Sequence, residues 1–281
     1  MKCNICPRNC NVERNENVGY CKSGKLKIAK TMLHFWEEPI ISGTKGSGAI
    51  FFSGCNLNCV FCQNYEISQK NKGEELNVLE LVEIFKKFEE LGAHNINLVS
   101  PTQFTTEILA ALKIYKPKIP VVWNSNGYEK PETIEKLKGF VDIFLVDFKY
   151  FNNDLAIKYS KAPNYFENAS KTILKMREVV SQDITYNNIM QKGLIIRHLI
   201  LPTHYKDSIK ILDYINEKLG NQTYVSLMSQ YLPLNNSPAP INRKISPLEY
   251  KIVVNHALKL NFENCFCQEL TSANSNYIPK F

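Results

Sequence analysis

The sequence predicts an α/β chain whose parallel sheet curls into an open, partial (β/α)6 barrel, preceded by a small cysteine-rich metal-binding segment. Three observations lead there. After residue 48, strand-like and helix-like runs alternate through about six units, a pattern that implies parallel strands with helices packed outside. Polar residues gather where those strands end, at Ser100-Pro101-Thr102, Asn124-Ser125-Asn126, Asp147/Lys149, Arg197/His198 and Gln230, which is where such folds hold ligands. The first 24 residues carry Cys3, Cys6, Cys10 and Cys21 with almost no apolar run. A closed barrel needs eight units, so six leave it open. A flat, doubly wound sheet is the alternative, with ligands again at the carboxyl ends of the strands.

The C-x2-C-x3-C-x10-C spacing of residues 3–21 is interleaved with Pro7, Gly19 and polar residues. So short a stretch buries little, and a bound metal would supply the missing folding energy. Four thiolates close a coordination shell, which suits a structural zinc or an electron-transferring iron–sulfur cluster. Residues 25–48 read as a connector whose Ser42-Gly43-Thr44-Lys45-Gly46-Ser47-Gly48 run turns tightly into a strand. His34 reads as a packed or surface residue. We therefore divide the chain into residues 1–48, the cysteine-rich segment and connector, and residues 49–281, the barrel with a C-terminal extension.

Within the barrel, Ala49–Ser53 opens as a strand. Leu76–Leu91 has helical spacing, with Lys86, Lys87, Glu89 and Glu90 outside and Gly92 as the stop. Asn95–Ser100 is a strand and Thr106–Tyr115 a helix closed by Pro117. Ile119–Trp123 is a strand, Pro131–Lys138 a helix opened by its proline, and Val141–Val146 a strand. Asn164–Val180 is helical, Leu194–Leu201 a strand, Asp207–Leu219 a helix ended by Gly220, and Thr223–Met228 a strand. Pro247–Leu260 is a helix with Ser246 as its N-cap. Residues 181–193 read as a solvated loop in which Asn187-Asn188 suits a hairpin turn. Cys265-Phe266-Cys267 places two thiols on one face if extended. They coordinate metal, shuttle redox equivalents, or simply pack as small buried residues.

Composition narrows the function. Hydrophobic residues make up 44% and charged residues 22%, enough for a substantial core and against global disorder. A net charge of +7 favours acidic partners weakly. No Lys/Arg block points to nucleic acid. No apolar leader opens the chain and no run approaches the roughly 18 residues of a membrane span. The nine cysteines are therefore expected to bind metal in a reducing cytoplasm rather than to form disulfides.

The most informative stretch is residues 50–65. An apolar run ends in Ser53-Gly54, and Cys55, Cys59 and Cys62 follow at C-x3-C-x2-C, with Phe61 before the third. Soft thiolates favour iron–sulfur clusters and zinc. Zinc would want a fourth ligand nearby, and no Cys or His occurs between Cys62 and His94. Three thiolates on a four-iron cubane leave one iron open to another ligand. The stretch resembles the cluster loop of radical S-adenosylmethionine (SAM) enzymes. That resemblance implies a 4Fe-4S cluster that reductively cleaves SAM to a 5′-deoxyadenosyl radical, which abstracts hydrogen from a substrate.

The chain looks closest to the pyruvate formate-lyase activating enzyme-like subgroup. Asp147-Phe148-Lys149 resembles its Asp-x-Lys, Ile196-Arg197-His198 its Val-Arg-Tyr, and Asn124–Tyr128 its Thr-Asn-Gly-Phe segment. The resemblance implies SAM-binding roles for Asn124, Asn126, Asp147, Lys149 and Arg197. Where the subgroup carries Gly-Gly-Glu, this chain reads Ser100-Pro101-Thr102-Gln103, and Gln230 stands where those enzymes carry histidine. A flavodoxin- or ferredoxin-like electron donor is implied, together with hydrogen abstraction from a protein or peptide, such as a glycyl radical enzyme awaiting activation. Modification of a small molecule, or an electron-transfer module without SAM cleavage, are the competing readings.

Overall fold

The computed structural model describes residues 2–14, 16–234 and 237–273. Its strands are β1 (Lys27–His34), β2 (Ser47–Phe52), β3 (Glu74–Glu75), β4 (Ile96–Val99), β5 (Val121–Ser125), β6 (Ile143–Asp147), β7 (Ile184–Tyr186), β8 (Ile189–Leu199), β9 (Tyr224–Met228) and β10 (Cys265–Cys267). Its helices are α1 (Pro39–Ser42), α2 (Tyr65–Ser68), α3 (Val78–Glu90), α4 (Thr105–Ile114), α5 (Pro131–Glu135), α6 (Asn153–Ser160), α7 (Tyr165–Val179), α8 (Tyr205–Leu219) and α9 (Pro247–Lys259). One sheet runs in the order β10-β9-β8-β6-β5-β4-β2-β1-β3, with β7 attached to β8. From β2 through β4, β5, β6 and β8 to β9 every neighbour is parallel. These are the six strands of the expected barrel. β10 extends them in parallel beyond β9, while β1 lies antiparallel along β2. Among the described residues the two ends of this path do not pair, so the barrel is partial.

Most elements fall within two or three residues of their sequence-based positions, and the departures have local causes. Residues 27–34, read as a connector, form β1, which covers the outer edge of β2. Lysines interleave with Ile28, Met32 and Leu33, and most positions are only half-buried, so the run lacks a clean alternation. Residues 181–193, read as a loop, form the β7–β8 hairpin. Asn187 and Asn188 take left-handed φ values of 48° and 60° at its tip, as the hairpin-turn reading expected. Ile184 and Tyr186 are exposed, which hides the strand from a hydrophobicity pattern. Helix α6 was not expected. Asn152 caps it by accepting from the Asp154 amide at 2.7 Å.

Alternation along the strands divides the interior in two. Trp123, Phe144, Val146 and Ile196 face the helices. Val122, Ile143, Leu145 and Ile195 face the lumen, where Ile40 and Ile41 of α1 pack against them together with Met190. Each isoleucine contributes about 1.5–3 kcal/mol by leaving water, enough to seat a four-residue helix that could not persist alone. The next inward-facing positions above this floor are Asn124, Asp147 and Arg197. The period of two thus carries a hydrophobic floor straight into a polar mouth.

Helix α9 shows the expected Ser246 cap as a capping box with Glu249. The Glu249 carboxylate also accepts from the Thr203 amide at 2.7 Å and from both terminal nitrogens of Arg243 at 2.7 and 2.8 Å. The Arg243 guanidinium holds this carboxyl well below the ordinary range, against burial and with help from Ser246 and the Thr203 amide. Its folded value is depressed, so the stability it contributes is complete above the ordinary glutamate range and is lost as pH falls below it. Glu249→Gln is expected to cost about 1–2 kcal/mol at neutral pH. The gap to the parent should narrow on acidification, read from urea midpoints between neutral and acid pH.

Candidate active site

Cys55, Cys59 and Cys62 lie on the loop between β2 and α2, at the carboxyl end of the first barrel strand. Gly54 turns the chain there with φ 81°, and a Cβ would collide with Ser23 Oγ and the Cys21 carbonyl. Backbone amides of Asn58 and Val60 donate to the carbonyls of Ser160 and Tyr159. Leu57 and Phe61 are buried, and Phe61 meets Tyr231 edge-on at 5.4 Å. Gln103 donates to the carbonyls of Ser53, Gly54 and Ser100 at 2.9–3.1 Å. Each sulfur has polar company. Cys55 Sγ accepts from the Leu57 amide and from Asn126 Nδ2, both at 3.4 Å. Cys59 Sγ accepts from Ser160 Oγ at 3.0 Å, and Cys62 Sγ lies 3.2 Å from Ser68 Oγ.

Beside the loop stands a network of largely buried charges. Asp147, at the end of β6, meets Lys149 Nζ at 2.7 Å and Arg197 Nε at 2.8 Å. Arg197 also reaches Glu37 at 3.1 Å and donates to Asn124 Oδ1 at 2.6 Å. Burial works against the Asp147 charge, yet Arg197 and Lys149 hold its carboxyl below the usual range. Burial likewise opposes the Lys149 charge, and Asp147 together with Cys59 holds the ammonium above its ordinary value. Lys149 acts electrostatically on all three cysteines of the loop. Glu38, on the same inserted segment as Glu37, is pushed up to about 6 by burial, with Arg197 opposing and Glu37 adding to the shift.

Cys55, Cys59 and Cys62 and the residues expected to meet SAM therefore lie together at one mouth. His198 does not. It points to the helix side, with Nδ1 2.7 Å from the Phe148 carbonyl and Nε2 2.8 Å from Ser208 Oγ. His34 is buried edge-on against Phe51. Gln230 takes part through its carbonyl, which accepts from Gln63 at 3.3 Å. Glu37, Glu38 and Asn56 were missed. The signal was an acidic pair wedged between Trp36 and the apolar Pro39-Ile40-Ile41, and a side-chain amide directly after the first cysteine. Asn56 bridges to Asn126 at 2.8 Å and to the Tyr128 carbonyl at 2.6 Å. Glu129, fully buried under the mouth, accepts from Thr102, Trp123 and Ser125 at 2.6–3.0 Å.

The N-terminal cysteines pack against the same loop. Cys3, Cys6, Cys10 and Cys21 line one cavity of about 20 Å³ with Arg8, Arg14, Asn56 and Gln103. Arg8 donates to the Asn56 carbonyl at 2.8 Å and to the Lys161 carbonyl at 2.5 Å, and Arg14 donates to the Gln103 carbonyl. Among the described residues no three His, Cys, Asp or Glu side chains are placed so that they could hold a metal ion.

A family model described as the Radical SAM superfamily matches residues 49–200. The chain belongs to the radical SAM superfamily. An uncharacterized protein of Methanocaldococcus jannaschii, MJ0674, is 34% identical over 273 residues, covering 93% of this chain and 75% of that protein. A second from the same organism, MJ0808, is 25% identical over 255 residues, covering 79% and 68%. Among solved structures the radical SAM chain is similar in fold to Streptococcus suis SuiB bound to precursor peptide SuiA, with TM-score 0.53 and 15% identity over 78% of this chain and 48% of that one. Methylornithine synthase PylB gives TM-score 0.51 and 14% identity over 76% and 60%. The chain thus spans about half the length of SuiB.

A 4Fe-4S cluster and SAM are typical of this superfamily, and the residues present suit them. Three thiols on one loop, each beside a hydroxyl or amide donor, offer a set that leaves one iron of a cubane open. Lys149 and Arg197 bring cations suited to a carboxylate, and Asn124 and Asn126 bring amides suited to hydroxyl and amine groups. Among the described residues no helix is long and apolar enough to cross a membrane.

Proposed function

We propose that this radical SAM enzyme abstracts hydrogen from a protein or peptide, in the manner of a glycyl-radical-enzyme activase. The observation that carries the site assignment is the Asp147–Lys149–Arg197 network facing Cys55, Cys59 and Cys62 at one mouth. When bound, cluster and SAM together supply a 5′-deoxyadenosyl radical. The chain's own residues do the rest. Cys55, Cys59 and Cys62 hold the cluster. Lys149 and Arg197, fixed by Asp147, hold the methionine carboxylate, and Asn124 and Asn126 meet hydroxyl or amine groups. The Ser100–Gln103 segment departs from Gly-Gly-Glu, and Gln103 brings an amide in place of the carboxylate, its Nε2 fixed by donating to the carbonyls of Ser53, Gly54 and Ser100. The carboxylates of Asp147, Glu37 and Glu38 are further candidate acceptors for the methionine amine.

A peptide substrate is supported by the open flank of the barrel and by the fold shared with SuiB, a protein solved with a precursor peptide. Likeness to methylornithine synthase supports the second reading, modification of a small molecule. We further propose a flavodoxin- or ferredoxin-like donor in an anaerobic cytoplasm, and a zinc ion or second iron–sulfur cluster on Cys3, Cys6, Cys10 and Cys21, which line a common cavity but would have to draw together to close around a metal.

Anaerobic reconstitution followed by SAM and dithionite tests the reading. 5′-Deoxyadenosine is the expected product, and its absence with a full cluster and bound SAM overturns it. Deuterium carried into 5′-deoxyadenosine from a labelled peptide, against a labelled small amino acid, separates the two substrate classes. Lys149→Ala is expected to weaken SAM binding by about 1.5–3 kcal/mol, roughly ten- to a hundredfold, with iron content kept. Parallel loss of iron would make Lys149 a folding residue instead.

A further inference from the structure

The last strand carries a pair of thiols that none of this chemistry uses. β10 lies at the edge of the sheet and, among the described residues, pairs only with β9. Side chains alternate along a strand. Phe266 turns to one face and stacks on Tyr224, with ring centroids 6.2 Å apart and planes 22° apart. Cys265 and Cys267 therefore share the other face, and their Sγ atoms stand 3.9 Å apart. Cys267 is exposed, while Cys265 is half-buried and packs against the helix-side core. The reading of these residues as two small buried side chains does not hold.

The geometry suits exchange. Two residues apart on a strand, the Cα atoms are separated by roughly 6.6 Å, near the upper end of the span a disulfide bridges. Side-chain rotation brings the sulfurs closer, and bending of this three-residue edge strand completes the closure, since two Cβ atoms on one face of an extended strand stand farther apart than the roughly 3.5–4.5 Å of a disulfide. The two thiols also differ. The hydrogen bond from Cys265 draws Cys267 down to about 7, and the same bond, with burial, pushes Cys265 up. One partner is thus accessible and readily ionised, and the other is sheltered and holds its proton.

We propose that Cys265 and Cys267 form a thiol–disulfide exchange site whose substrate class is a disulfide-bearing peptide or protein. The Cys267 thiolate attacks one sulfur of the substrate disulfide. That S–S bond breaks, and the departing sulfur leaves as a thiolate that takes up a proton. Cys265 then loses its proton and attacks the Cys267 sulfur of the mixed disulfide, releasing the second substrate thiol. The substrate gains two electrons and two protons and becomes two thiols. The pair loses the same and becomes a Cys265–Cys267 disulfide. Exposed disulfides are the readily reduced kind, so the exchange runs in reverse onto a substrate dithiol as well.

The test uses reduced, cluster-reconstituted full-length protein and excess 5,5′-dithiobis(2-nitrobenzoate) under argon. The parent should release two thionitrobenzoate ions per chain from this pair in a fast phase, and the peptide containing residues 265–267 should carry an internal disulfide and no adduct. Cys265→Ser should release one ion and retain one adduct on Cys267. Cys267→Ser should slow the fast phase roughly tenfold, as expected when a near-neutral thiol is lost and an ordinary one remains. Unchanged kinetics in Cys267→Ser, or two adducts and no internal disulfide in the parent, overturns the proposal. Cys265→Ala repeats the resolving-thiol test should the serine variant fold poorly. Iron per chain, set by cysteines on other elements, reports folding in every variant.

Discussion

Cys59→Ala is expected to abolish both cluster and reaction: from about four irons per chain at the loop to none, and from 5′-deoxyadenosine formation to the background of dithionite and SAM alone. Cys59 is the middle ligand of a three-thiolate set with no spare. Among the described residues no fourth Cys stands on that loop, and the nearest hydroxyl, Ser160 Oγ at 3.0 Å, is a poor iron ligand. The loop should still fold, because its shape comes from the buried Leu57 and Phe61 and from bonds to the Ser160 and Tyr159 carbonyls. Iron, sulfide and 5′-deoxyadenosine measured on one preparation decide the matter. Substantial SAM cleavage by this variant would remove the cluster assignment. Ser160→Ala is the companion, since it deletes a donor to sulfur while leaving every thiol, so the cluster should assemble with an altered reduction potential.

Asp147→Ala should be the most damaging single change away from the cysteines. It leaves the Lys149 ammonium and the Arg197 guanidinium side by side without the carboxylate between them, both largely shielded from water. Removing one member of a buried ionic network costs about 3–5 kcal/mol, because the charges left behind stay desolvated. Glu37 still pairs with Arg197, which places Lys149 as the group abandoned. The double variant Asp147→Ala/Lys149→Met should therefore recover part of the lost stability in urea unfolding while failing to bind SAM. No recovery would mean that Asp147 matters chiefly through Arg197.

What could be seen in advance, and what could not, follows from the range of the forces involved. The barrel strands were legible because Val122, Leu145, Ile195 and their neighbours are buried on both faces and read as apolar runs. The cysteine loop was legible because its spacing is local. Asn124, Asp147, Lys149 and Arg197 were found at strand ends, where the fold itself concentrates polar groups. Glu37 and Glu38 were not, because their role depends on a segment that enters the lumen beside strands lying more than 80 residues away in sequence, and no local periodicity records that. β1 escaped notice as a half-buried flanking strand with lysines on it, and α6 because it is short and begins from an asparagine cap. His198, adjacent to Arg197, shows the reverse: a titratable group at the right position in sequence, turned to the wrong face by the pleat of β8.

Helix α1 has a kinetic meaning. With Ile40 and Ile41 seated among Val122, Leu145 and Ile195, the lumen is a cup rather than a tube. Nothing drains from below. Traffic then passes by the rim or by the open flank, and a bulky guest that covered both would imprison whatever lies beneath it.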